Sequence, residues 1–276
     1  MKRTIPVSAL GVVTILWYCL LLAIPLALVF ATAFFEKGTY GGITFHFTFA
    51  NFLRAFDPIY LQIFWESVKL AFLTTVLCGA FGFPMAYAIA TQPPGWRAFW
   101  FLAIALPSLT SLVIRIYALR SFLSPTGFGA ALSSIGLDQG APLVLFGMVS
   151  TYLPFFVLPV AAAMEKFNFL LVDAARDLGE SDSRILFRVV LPQVFQPVRS
   201  AMILVFIPAF GEFLIPDLLG GARIMLVGNL ITEQFLRARD WPFGSSLTLL
   251  LFLLLGLLFL LMQTVSRSPT SQGKPL

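Results

Sequence analysis

DAARDLGESDSRILFRVVLP, residues 173–192, is a strongly polar stretch between two long apolar runs. It carries Asp173, Arg176, Asp177, Glu180, Asp182, Arg184 and Arg188. Ala174, Ala175 and Leu178 have helical spacing and make a narrow apolar face. Gly179 stands where a helix C′ glycine belongs. Ser181 or Ser183 is placed to cap a following helix, and Pro192 ends it. The stretch therefore predicts a helix, a glycine stop and a second helix, tethered between two membrane spans. Pattern alone leaves two meanings open, a solvated connector and a docking element for a soluble partner.

The composition around it sets the class. Of 276 residues 59% are hydrophobic and only 11% are charged, with a mean hydropathy of +0.91. A soluble domain of this size needs more charge than that. Thirty phenylalanines against six tyrosines suit lipid-facing and helix-packing surfaces. The net charge of +5 does not mark a nucleic-acid binder, because the basic residues are scattered at the ends of apolar runs rather than gathered in a patch. Cys19 and Cys78 both lie inside apolar runs and make no disulfide or metal framework.

Six spans are expected, all helical, in one permease-like domain covering residues 1–276. The first runs from about Val7 to Phe35, behind Lys2 and Arg3, with Pro25 as a candidate kink. Its apolar core is too long for the h-region of a signal peptide, so an uncleaved span is expected despite Ala31-Thr32-Ala33. The second runs from about Trp65 to Thr91, and Gly79, Gly82 and Ala86 make it an inner helix of a bundle. The third, about Trp96 to Phe122, is broken at Pro107, where Ser108, Thr110 and Ser111 can satisfy freed carbonyls. The fourth covers about Pro142 to Met164, the fifth about Pro197 to Leu219, and the sixth about Phe243 to Val265. Residues 36–64, 123–141 and 220–243 are expected as loops on one side, and about 165–197 as the polar loop on the other. Phe45, Phe47 and Phe49 alternate as in a short extended piece, and a short helix is expected over Leu226 to Arg239. His46, the single histidine, is given no role.

Lysine and arginine placement orients the chain. Lys2, Arg3, Arg97, Lys166, Arg176, Arg184, Arg188, Arg199, Arg267 and Lys274 fall on one side; Lys37, Arg54, Arg120, Arg223, Arg237 and Arg239 fall on the other. The bias places both termini and the polar stretch in the cytoplasm. No phosphate-binding G-x-x-x-x-G-K-[ST] is present, nor H-E-x-x-H, nor G-x-S-x-G. No catalytic residue, metal site or cofactor is expected.

An acidic side chain within a span is costly and usually marks a pathway. Glu212, in PAFGEFLIPDLLGGA, is the clearest such residue, and Asp217 follows near the outer end. With Phe210, Phe213 and Trp241 as aromatic neighbours, the carboxylates suit an amine cation through ion pairing and cation–π contact. Against that stands a structural role, in which Glu212 pairs with Arg115 or Arg223.

The polar stretch resembles the cytoplasmic signature of ABC importer permeases: Glu-Ala-Ala, three residues, Gly, nine residues, an aliphatic residue, one residue, Leu-Pro. Here Asp173-Ala174-Ala175, Gly179, Val189 and Leu191-Pro192 fit that spacing, with Asp for Glu at 173. The resemblance implies a coupling helix seated in an ATPase cleft, with Leu178 beside it, and a fold of the type I importer kind. NFLRAFDPIYLQIFWESVKLA, GFPMAYAIA, SLVIRIYALRSFLSPTGF and DLLGGARIMLVGNLITEQFLRARDWPFG extend the likeness to the first membrane subunit of bacterial spermidine/putrescine importers. That implies a heterodimer with a second permease subunit, two copies of a separate ATPase chain, a soluble binding protein, and a place in the bacterial inner membrane. A permease for another small solute is the nearest alternative. An ion-coupled secondary transporter using Glu212 is a further one, though it leaves the signature unexplained.

Overall fold

The computed structural model describes residues 9–38, 41–122, 140–221 and 224–265. Within them the chain is helical except for one two-stranded antiparallel sheet. The elements are α1 (Ala9–Tyr18), α2 (Ile24–Thr32), β1 (Phe35–Lys37), β2 (Ile43–Phe47), α3 (Ala50–Ala55), α4 (Pro58–Ala90), α5 (Pro94–Leu109), α6 (Leu112–Phe122), α7 (Ala141–Met164), α8 (Leu170–Asp177), α9 (Asp182–Ile185), α10 (Leu191–Gln193), α11 (Phe195–Phe210), α12 (Leu214–Leu219), α13 (Val227–Leu236) and α14 (Trp241–Val265). Two compact units emerge, one of Met1–Leu61 with Leu230–Leu276, the other of Gln62–Asn229.

Four helical stretches are long and apolar enough to cross a bilayer: Thr14–Thr32, Pro58–Ala90, Ala141–Met164 and Trp241–Leu260. Two further pairs pass the same test but are sharply bent, α5 with α6 by 91° and Asp182–Gln193 with α11 by 83°. The bend after α5 falls at Thr110 and Ser111, three and four residues beyond the expected break at Pro107. Prolonged helix past the proline is possible because the turn's carbonyls are met locally: Ser108 donates to Ala105 O at 2.6 Å, and Thr110 and Arg115 both donate to Pro107 O, at 2.7 and 3.1 Å. The expected fifth span divides in two, α11 and α12, around Gly211–Phe213.

Two turns widen from α to π, at Cys19–Ala23 and Leu186–Val190. Each stands two residues before a proline, Pro25 and Pro192. A proline ring collides with the carbonyl four residues back and offers it no N–H. A π turn moves that carbonyl aside and lets the helix continue. The expected kink at Pro25 takes this form.

In the first unit, Asp240 caps α14 by accepting from Phe243 N at 3.3 Å, while its other oxygen takes Arg54 at 2.8 Å. Arg54 also lies 4.0 Å over the Phe243 ring. The Thr32 and Ser245 hydroxyls share a hydrogen bond of 2.7 Å, tying α2 to α14. In the second unit, small residues set the helix spacing. A Cβ on Gly82 would fall 2.5 Å from the Phe156 ring, and one on Gly147 would fall 2.6 Å from Leu219. Thus α4 packs on α7, and α7 on α12, at distances only glycine permits. Thr74 and Cys78 face Met148 Sδ and Val149 O across the α4–α7 contact, both at 3.8 Å.

Candidate functional site

The stretch expected to couple to an ATPase has the helix and glycine stop that its sequence predicts, made by local hydrogen bonding, but Pro192 does not end the second helix, which runs on through α10 to Gln193. α8 ends at Asp177, Leu178 is its C-cap, and Gly179 has φ +83°. Gly179 N donates to Arg176 O at 2.8 Å, and Glu180 N donates to Ala175 O at 3.1 Å. That pair of bonds is a Schellman stop, which satisfies the last carbonyls of the helix and requires the left-handed residue. Space is not the reason for the glycine, since nothing lies within 4 Å of a Cβ placed there. Ser181 occupies the N-cap position of α9 but makes no side-chain cap bond; Ser183 lies inside the helix.

Exposed ion pairs stiffen the segment's outer face. Arg176 meets Asp182 at 3.1 Å and Asp173 at 3.9 Å, and Arg184 meets Glu180 at 3.2 Å. Hydrogen bonding to Asp182 pushes the Arg176 guanidinium further up from its ordinary value. Val172 and Ile185 are buried against the body, whereas Leu170, Phe187 and Leu178 are exposed, Leu178 by 85%. Asp173 and Ala174 share that outer face, and Ala175 is partly covered. Leu191 and Pro192 open α10, directly behind the π turn. A cavity of about 460 Å³ adjoins α8, lined by Tyr87, Ala90, Thr91, Arg97, Phe169, Val172, Asp173 and Arg176.

Glu212 sits in the break between α11 and α12, only 8% exposed. Its Oε1 accepts from the backbone N–H of Phe213, Leu214 and Ile215 at 3.1, 2.9 and 3.3 Å. Its Oε2 accepts from the Tyr152 hydroxyl on α7. The carboxylate thus covers the first amides of α12, where a negative charge also opposes the positive end of the helix. Its partner set is neither of the arginines weighed from sequence: Arg115 is turned to Pro107 O, and Arg223 lies outside the described residues. The break is clamped from a second side. A Cβ on Gly228 would fall 2.5 Å from Gly211 O and 2.8 Å from Glu212 O. Asn229 Nδ2 donates to Phe213 O at 2.7 Å, and Ser67 Oγ accepts from Val227 N at 2.8 Å.

The other residues expected beside Glu212 separate. Phe210 is fully buried and stacked on Phe206. Phe213 and Asp217 are exposed one helical turn apart, with Asp217 N donating to Phe213 O at 3.1 Å. Asp217 has no ion-pair partner among the described residues. Trp241 belongs to the first unit, where its ring meets Phe235 edge-on at 5.8 Å. Sequence reading passed over Glu66, which pairs with Lys69 at 2.6 Å on α4. An acidic residue at the head of an apolar run was the available signal.

No family model matches the chain. Its fold aligns with a chain of the bacterial ABC transporter that imports the polysaccharide alginate, with TM-score 0.74 and 19% identity over 94% of this chain and 93% of that one. It also aligns with a chain of the MetNI methionine ABC transporter in inward-facing form, with TM-score 0.56 and 16% identity over 77% and 98% of the two chains. The fold is thus that of the membrane subunits of ABC importers. The chain belongs to the PotB family, the permease proteins of spermidine/putrescine transport systems. It is 36% identical to the Haemophilus influenzae protein over 253 residues, 88% of this chain and 87% of that one. It is 33% identical to the Escherichia coli protein over 265 residues, 93% and 96% of the two. YdcU of Escherichia coli, an inner membrane ABC transporter permease protein, is 28% identical over 235 residues.

Proposed function

We propose that this chain is the permease of an ATP-driven importer of polyamines such as spermidine or putrescine, in a bacterial inner membrane. The observation that carries the reading is its 33–36% identity, along most of its length, to relatives named for that transport. The bent pairs α5–α6 and α9–α11 are taken as one span each, which makes six and leaves both termini in the cytoplasm. A second permease subunit completes the path, a separate ATPase dimer docks on the coupling segment, and a soluble protein delivers the solute.

The exposed outer face of α8 and its stop, where Leu170 and Leu178 stand beside the carboxylate of Asp173, suits insertion into a protein cleft. ATP-driven closure of that cleft shifts the spans only if the segment binds it differently in the two states. For the solute we assign Asp217 and Phe213 the larger part, because a protonated amine needs an accessible carboxylate and an aromatic face. Glu212 is assigned to holding the break in place.

The test is uptake of radiolabelled spermidine and putrescine by proteoliposomes holding the chain with its cognate ATPase, second permease and binding protein. ATP-dependent polyamine uptake, competed by unlabelled polyamine and not by amino acids or sugars, is the expected result. ATP-dependent uptake of another solute with none of polyamine overturns the substrate assignment.

A further inference from the structure

Beside the end of the first span lies a surface made almost entirely of phenylalanine. β1 begins three residues after Thr32, and at about 3.3 Å per extended residue it cannot stand more than roughly 10 Å from the span's end. The rings of Phe34, Phe47, Phe49 and Phe52 form one cluster and those of Phe35 and Phe45 a pair on the same strand face, with neighbouring centroids 5.2–6.3 Å apart. Packing on one another leaves them uncovered outward: Phe45, Phe47 and Phe49 are 87%, 61% and 57% exposed, and Leu53 and Phe56 continue the patch. Strand alternation puts Thr44 and His46 on the other face, where His46 lies 3.4 Å from Glu36 and Thr44 Oγ1 donates to Glu36 O at 2.9 Å. The hairpin is therefore two-faced, one face apolar and one polar.

The platform is also fixed rigidly to the span. Asn51 Nδ2 donates to Ala33 O and Phe35 O at 3.2 and 2.8 Å. Arg54 on α3 is held by Asp240. Partial burial of Arg54 itself works against its charge, but hydrogen bonds to Asp240 and Tyr60 outweigh that and push the guanidinium above its ordinary value.

A contiguous apolar patch of this kind marks a contact surface. We infer that its occupant is the lipid bilayer: the Phe45–Phe47–Phe49 face lies in the boundary between headgroups and acyl chains, a foot beside the first span. Three observations favour lipid. The patch begins within about 10 Å of the end of the apolar stretch Thr14–Thr32. It is continuous through Phe30 and Phe34 with the exposed apolar surface of α2. And its opposed polar face is the arrangement of elements that lie in the membrane interface. The inference rests on the chain spanning a membrane and not on which solute it carries.

Depth-dependent quenching tests it. The nitrobenzoxadiazole fluorophore is attached to Phe45→Cys, and separately to Phe47→Cys and His46→Cys, in a Cys19→Ala background, Cys78 being buried. The assembled transporter is placed in nanodiscs whose lipids carry bromine at successive acyl positions. Probes at 45 and 47 should be quenched several-fold more by shallow-brominated lipid than the probe at 46. Equal, weak quenching at all three, with ready access to aqueous iodide, overturns the inference. So does shielding of 45 and 47 from both bromine and iodide, which would mean that a protein subunit covers the face. Phe45 is the most exposed of these phenylalanines, so its variant keeps the test informative if Phe47→Cys fails to fold.

Discussion

A carboxylate taken out of water must be met by donors, and at Glu212 four converge: three amides of α12 and the Tyr152 hydroxyl. Such a residue is bound into the fold, whereas Asp217, exposed and without an ion pair among the described residues, is open to the visiting cation proposed for it. The two should answer mutation in opposite ways. Glu212→Ala orphans the amides and the hydroxyl and should cost about 2 kcal/mol or more. The melting temperature and purified yield in detergent should fall. Asp217→Asn should leave yield and melting unchanged and cut polyamine uptake at least several-fold. Wild-type uptake in the Asp217 variant, with normal yield but lost uptake in the Glu212 variant, would return the solute role to Glu212. Sequence could show a costly acidic residue in an apolar run. It could not show the partner, because Tyr152 lies 60 residues away on another helix and a tyrosine in a span carries no distinguishing pattern.

The coupling segment was far more legible, because its bonds run between neighbours. A Schellman stop spans six residues, so a glycine at the right offset from an apolar helical face nearly dictates it. Two properties follow for Gly179. Its φ of +83° costs a side-chain-bearing residue about 1–2 kcal/mol, and asparagine tolerates it best. The open space around it means that bulk is resisted only when a partner is bound. Gly179→Asn should therefore assemble with the ATPase and retain most stimulation of hydrolysis. Gly179→Arg should insert normally yet lose stimulation, measured as ATP turnover in proteoliposomes with and without loaded binding protein. Equal, normal activity of both variants would remove the segment from the docking surface. The π turns were not legible in the same way: Pro25 suggested a kink and Pro192 a helix end, whereas at each the helix continues through a widened turn.

For the molecule as a whole, hydropathy found every apolar run, and helix ends fell within a few residues of expectation except where a polar turn lies inside a run. α4 begins at Pro58 rather than about Trp65, because the polar residues before Trp65 are followed by no helix stop. The break at 211–213 depends on contacts with α7 and α13 that no local window contains. The proposed topology, six crossings with both termini inside, puts α13 and the start of α14 on the outer side. A cysteine at Arg237, exposed just past α13, should then react with an impermeant maleimide from outside only. Arg237 suits the purpose better than Arg239, whose φ of 50° a cysteine would strain. Labelling from the cytoplasm alone would invert the whole arrangement.

The 83° turn between Asp182–Gln193 and α11 has its corner at Val194, which is almost wholly buried. Two stiff arms joined at a right angle over an embedded pivot form a bell crank. If the outer arm docks on an ATPase as proposed, a sideways shove on it would emerge at the inner arm as a lift along its own axis. The chain would need no long shaft to carry the stroke from a machine working in the plane below the membrane to a gate lying deep within it, because the corner itself changes the direction of travel.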